Sequence, residues 1–226
     1  VQVYTITSDL SWLDPFSNRG FITGIISIVS VGLIRTLLRK ENNDKIMFWY
    51  AIDLKTYMQV ITGLLIFLVY MVFRLEVNHQ AAWYLNDELY IIIGCFNYLF
   101  IILLFLCFVK ETAPLWVKAF FMGIGVFNIL AFPVFYNKEL IALRLSDLQN
   151  GFSLLNLTCH LLITVLFFIT LYQLYKAVKQ LNISQYLNAF QWLAGILVLF
   201  VLSAELDHLV VTLYGNLDTW SDLVDN

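Results

Sequence analysis

Two pairs of residues share the spacing Glu-x-x-His: Glu205 with His208, and Glu76 with His79. Residues three apart on a helix lie on one face, so each pair aims a carboxylate and an imidazole in the same direction. Two such pairs together with two further carboxylates make the ligand set of di-iron helical bundles. Glu139 and Glu88 are the carboxylates available to complete that set, and bound metal in such an arrangement would make the chain a di-metal enzyme. Asp207 stands next to the second pair and points away from Glu205 on a helix. Glu205, Asp207 and His208 would form a proton or ion relay if water reached them, because histidine changes charge near neutral pH. In the structural reading, the carboxylates cap helices or pair with arginines such as Arg74 and Arg144, and the imidazoles sit at a polar boundary. No Gly-x-Ser-x-Gly, His-Glu-x-x-His or phosphate-binding loop sequence occurs. Cys95, Cys107 and Cys159 are odd in number, lack CxxC spacing and fall in apolar runs, so they read as small buried hydrophobes.

The elements that must carry these residues follow from composition. Of 226 residues, 61% are hydrophobic and only 13% charged, and the mean hydropathy is +0.80. Soluble domains carry about 25% charged residues, so this chain has too little polar surface to cover a particle in water, and lipid is its solvent. The 16% aromatic content suits a membrane, where Trp and Tyr gather at the boundary with water. A net charge of −3 without a basic run excludes nucleic acid as a partner.

Six apolar runs stand out, at 21–38, 54–73, 89–109, 115–135, 152–172 and 190–211. Each approaches the roughly 20 residues that cross hydrocarbon as a helix, and helices satisfy their own backbone groups where no water can. Arg35, Arg39, Lys40, Lys45, Lys55, Lys110, Lys118, Lys176 and Lys179 flank one set of span ends, against Arg19, Arg74, Lys138 and Arg144 on the other. The positive-inside rule makes the first side cytoplasmic, which places both termini and the carboxylates of Glu76, Glu139 and Glu205 on the outer side. The segment 137–151 mixes leucines with charges and reads as a short helix lying in the interface. Pro133 is expected to kink or end the fourth span. In the middle of the spans stand only mild polar groups, among them Asn97, Asn128, Thr158, His160 and Thr164, for which interhelical hydrogen bonding is the expected role.

Leu13-Asp14-Pro15-Phe16-Ser17-Asn18 is echoed by Leu217-Asp218-Thr219-Trp220-Ser221-Asp222, 204 residues later. Between them Glu76, Glu139 and Glu205 recur at the outward ends of spans two, four and six. The pattern reads as a helical hairpin of about 65 residues repeated three times. The second echo would precede a seventh span, so the chain reads as a fragment of a longer one. These repeated hairpins, the acidic and aromatic outer loops, and Leu202-Ser203-Ala204-Glu205-Leu206-Asp207-His208 at a helix end resemble a family of very long multi-pass bacterial membrane proteins without an established activity. The resemblance implies a polytopic inner-membrane location and supplies no catalytic residues.

The expectation is therefore an all-α polytopic transmembrane bundle of about six spans, with 1–226 forming one transmembrane region. A non-catalytic structural or interaction module of a larger cell-envelope protein is expected. Its partners would be the lipid bilayer, the rest of its own chain and an envelope protein, with no cofactor. A segment of a secondary transporter and a membrane-embedded di-metal enzyme are the alternatives. Glu205, Asp207, His208, Glu76, His79 and Glu139 are the candidate binding or relay residues, and Glu76, His79, Glu205 and His208 the metal ligands if there are any. Reporter fusions at Asn43 and Ser184 should read cytoplasmic and one at Asn86 external; the reverse pattern would overturn the orientation.

Overall fold

In the computed structural model of the chain, the described residues are 16, 18–40, 45–47, 51–84, 88–109, 114–150, 153–181 and 184–214. Nearly all are helical. The exception is one antiparallel pair, β1 (Lys45–Met47) with β2 (Ala51–Asp53), in the register Lys45 opposite Asp53. Six helical stretches among the described residues are long and apolar enough to cross a membrane, and the protein is an all-α, multi-pass membrane protein. The chain divides into two compact units, 1–84 and 85–226.

The first unit is a helical hairpin, α1 (Arg19–Leu38) and α2 (Leu54–Tyr84). Asn18 caps α1 by accepting the Phe21 backbone N–H at 2.8 Å, which satisfies one of the donors that a helix start leaves open. The helices meet closely at Gly24, where a β-carbon would stand 2.6 Å from a methyl of Val72. Arg35 reaches across with its Nε–H to Thr62 Oγ1 at 2.9 Å. Ile26, Leu33, Leu37 and Val60 are exposed, as expected of side chains whose surroundings are lipid.

The second unit comprises α3 (Leu89–Phe108), α4 (Leu115–Ala131), a π-helical segment (Phe132–Tyr136), α5 (Asn137–Asn150), α6 (Leu154–Lys179) and α7 (Ser184–Tyr214). Its most extensive helix contact joins α3 to α6, so packing here is not confined to hairpins of neighbouring helices. The core is built on Ile91, Tyr98, Ile129, Phe132, Ile163, Phe167, Leu174 and Val201.

The first five spans start close to the expected positions and the sixth earlier, at Ser184, but several run on. The second continues beyond 73 to Tyr84 and the fifth beyond 172 to Lys179. Polarity ends an apolar run but does not end a helix, and no proline or paired glycine interrupts either extension. Pro133 does not end the fourth span. The chain passes through the π segment directly into α5, because a π turn absorbs the missing hydrogen bond. Here the Phe132 N–H turns to Ile129 O and Pro133 has no N–H to give, so Asn128 O loses its usual helical donor. The Tyr98 hydroxyl supplies one at 3.1 Å. Segment 137–150 is packed rather than lying alone at an interface, since Leu140 and Leu143 are core residues.

Gly94 of α3 lets the π segment approach. A β-carbon there would lie 2.7 Å from the Tyr136 ring and 2.8 Å from Ile163 Cδ1. The ring cannot yield easily, because Asn97 Nδ2 donates to its hydroxyl at 3.1 Å. Gly123, by contrast, has nothing within 4 Å of such a carbon. Gly94→Ala should therefore lower the unfolding free energy by about 1–3 kcal/mol through overpacking, whereas Gly123→Ala should raise it by up to about 1 kcal/mol through helix propensity. Denaturation of the two detergent-solubilised variants checks both; equal effects would contradict the packing.

Candidate functional site

The polar side chains gather in two places, one in each unit. In the first unit Glu76 is 1% exposed, and its carboxylate accepts three hydrogen bonds from the described residues. The Phe16 N–H donates to Oε1 at 3.0 Å, Gln80 Nε2 to Oε1 at 2.7 Å and Asn18 Nδ2 to Oε2 at 2.6 Å. Asn18 thus caps α1 with its oxygen and binds Glu76 with its nitrogen. Phe16 adopts a left-handed backbone, φ 62°, at a cost of about 1–2 kcal/mol for a residue with a side chain; its ring rests edge-on against Phe21 at 5.3 Å. The helical partner of Glu76 is Gln80, one turn on, rather than His79, which is half-buried on the same stretch of α2. Arg74 Nε is buried without a hydrogen-bond partner among the described residues. The three donors to Glu76 are neutral.

In the second unit α5, α6 and α7 bring together a mixed cluster. His160 Nε2 lies 3.0 Å from both Glu205 Oε1 and Oε2. The Thr164 hydroxyl, one turn along α6, donates to Glu205 Oε1 at 2.8 Å. The His208 ring stands edge-to-face with His160, with centroids 4.6 Å apart, and is buried. Asp207 turns to α5, where Arg144 Nη1 donates to its Oδ2 at 2.8 Å. Nearer the helix start, Asn156 Nδ2 donates to Asp147 Oδ1 at 2.6 Å. By the rise of 1.5 Å per residue, His160 and Thr164 lie about 9 and 15 Å along α6. The Glu205 carboxylate therefore sits inside the apolar span rather than at its edge.

Of the residues singled out by spacing, the structure unites Glu205 and His208, which share one face as expected, and gives Asp207 to Arg144. Glu139 is half-buried in the first turn of α5, and Glu88, buried, precedes α3 without a side-chain capping bond. Glu76 and His79 belong to the first unit, Glu205 and His208 to the second. Among the described residues, no group of three or more His, Cys, Asp or Glu side chains is placed to hold a metal ion. The residue that spacing did not assign to the cluster is His160, with Thr164 behind it. The sequence does carry a signal for them: a lone imidazole and a hydroxyl four residues apart in an otherwise apolar run face one side of a helix.

No protein-family model, curated protein or solved structure matches the chain. What the two clusters do must be argued from their own chemistry.

Removing the Glu76 carboxylate leaves three donors without their acceptor. Glu76→Ala should lower the unfolding free energy of the detergent-solubilised protein by about 3 kcal/mol, from the desolvation cost of orphaned buried groups. Glu76→Gln, which keeps one acceptor oxygen, should lose less. Denaturation curves indistinguishable from wild type would show that the turn at Phe16 holds without it.

Proposed function

We propose that this chain is a non-catalytic structural or interaction module of a larger bacterial cell-envelope protein. In this reading it lies in the inner membrane with both termini outward, and belongs with the family of repeated transmembrane hairpins that its sequence resembles. The observation that carries this reading is how the polar groups are used. Glu76 ties the turn before α1 to α2, Asp207 ties α7 to α5, and Glu205 ties α7 to α6. Each joins helices that hydrocarbon alone would not hold in register, since lipid provides no hydrophobic drive between helices. The acidic and aromatic outer loops would then meet an envelope protein or lipid headgroups.

A second reading, a segment of a secondary transporter, is favoured by the depth of Glu205, because ionisable residues inside a span mark ion and substrate paths as well as structural pairs. Proteoliposomes separate the two. A structural module should leak protons and small solutes no faster than protein-free vesicles, in wild type and in Glu205→Gln alike. Flux present in wild type and lost in Glu205→Gln would replace the module by a transporter. Stoichiometric iron, manganese or zinc that is lost in His208→Ala would replace it by a di-metal site.

A further inference from the structure

The two clusters differ in one chemical respect: the described donors on Glu76 are neutral amides, whereas one partner of Glu205 is an imidazole that can take up or give away a proton. We propose that His160, Glu205 and His208 form a binding site for one proton inside the membrane span, with the proton held between His160 Nε2 and the Glu205 carboxylate. The inference goes beyond the structural role and serves a static module or a transport path alike.

Three features of the geometry support it. First, Nε2 bridges both carboxylate oxygens at 3.0 Å. A proton on that nitrogen therefore faces an acceptor, and its transfer to oxygen converts an ion pair into two neutral groups without moving a heavy atom. Second, charge within the cluster leaves room for one proton. Arg144 is paired with Asp207, and the charge of a Glu205 carboxylate is one that a single proton on the His160–Glu205 pair neutralises. Uncompensated charge is costly in hydrocarbon. Third, His208 opposes a second proton, because its ring lies 4.6 Å from that of His160 and two imidazolium ions at that separation repel. The other acidic groups around the cluster are Asp147, bonded to Asn156, and Glu88, buried at the start of α3. Both are acids, and any charge they carry favours holding the proton. Thr164, one turn along the same face of α6 as His160, fixes the carboxylate without titrating.

The step is a simple ionisation. The N–H bond of His160 breaks, its electron pair stays on nitrogen, and the proton passes to a Glu205 oxygen or to water; nothing is oxidised or reduced. A cation such as sodium would compete for the same carboxylate oxygens and would have to displace the His160 nitrogen.

The test uses the whole chain in lipid nanodiscs with nitrogen-15 histidine, the three signals being assigned by His79→Gln and His160→Gln. At a fixed mildly acidic pH, the His160 ring of wild type should populate the form carrying both ring protons. In Glu205→Gln the ratio of that form to the neutral ring should fall at least about tenfold, the smallest effect expected for losing an adjacent opposite charge. Thr164→Val, which leaves both titrating groups in place, should lower the ratio by a smaller factor and keeps the test decisive if Glu205→Gln does not fold. Equal ratios in wild type and both folded variants would overturn the proposal. So would a His160 ring that stays in one form from acid to alkaline pH, or a ratio that follows sodium when sodium replaces choline. The readout is ring protonation at equilibrium, so its failure is distinct from any result for flux.

Discussion

Hydrocarbon offers no hydrogen bonds, and the structure is organised around that constraint. A buried polar group must find its partner within the protein or remain unsatisfied at considerable cost. The π segment shows the consequence at backbone level. Pro133 withdraws a donor, the Phe132 N–H shifts to Ile129 O, and Tyr98 is there to serve the carbonyl of Asn128. The arrangement in turn requires α3 to approach closely, and Gly94 permits it beside the Tyr136 ring. The continuity of the fourth span into α5 depends on these residues acting together. That continuity carries Arg144 to Asp207, so a backbone repair in the core helps to place a side chain in the polar cluster.

The membrane class and the approximate starts of the first five helices were legible in the sequence, because apolar length is set by bilayer thickness and little else; the sixth, read from 190, starts at Ser184. The ends were less so. Arg74, Glu76 and Asn78 interrupt the hydropathy of the second run, yet nothing in them breaks a helix, and α2 continues to Tyr84. Of the two effects expected of Pro133, a kink or an end to the span, the end does not occur, since a tyrosine from another helix serves the carbonyl left open. Partner choice was the least legible feature. Spacing put Glu205 and His208 on one face correctly, but it says nothing about which helix lies opposite. Only the packing of α6 against α7 shows that His160 and Thr164 are the groups they meet. The pairing of Glu76 with Asn18 and Phe16 was hidden for the same reason, even though those two residues belong to the repeated Leu-Asp-x-aromatic-Ser-Asn/Asp pattern.

The segment ending in Phe16 and Asn18 has a physical role. Asn18 serves both helices of the hairpin at once, with its oxygen on the start of α1 and its nitrogen on Glu76 of α2. Phe16 takes up a strained backbone so that its N–H can join the same carboxylate. Phe16 and Asn18, two positions apart, thus close this hairpin end over a buried carboxylate. The similar stretch 217–222 lies outside the described residues.

The contrast between the two carboxylates bears on where function is to be sought. Glu76 accepts from two amide side chains and a backbone N–H, and none of these can take its proton or surrender one of its own near neutral pH. Such a site is chemically fixed and suits a joint. Glu205 accepts from a hydroxyl, which is equally fixed, and from an imidazole, which is not. Exchanging that imidazole for an amide would preserve the link between α6 and α7 while removing every proton that can move. A structural stitch alone therefore does not require histidine at position 160, and still less a second histidine ring against it. The chemistry that the structure leaves unexplained by packing is concentrated in that pair of rings.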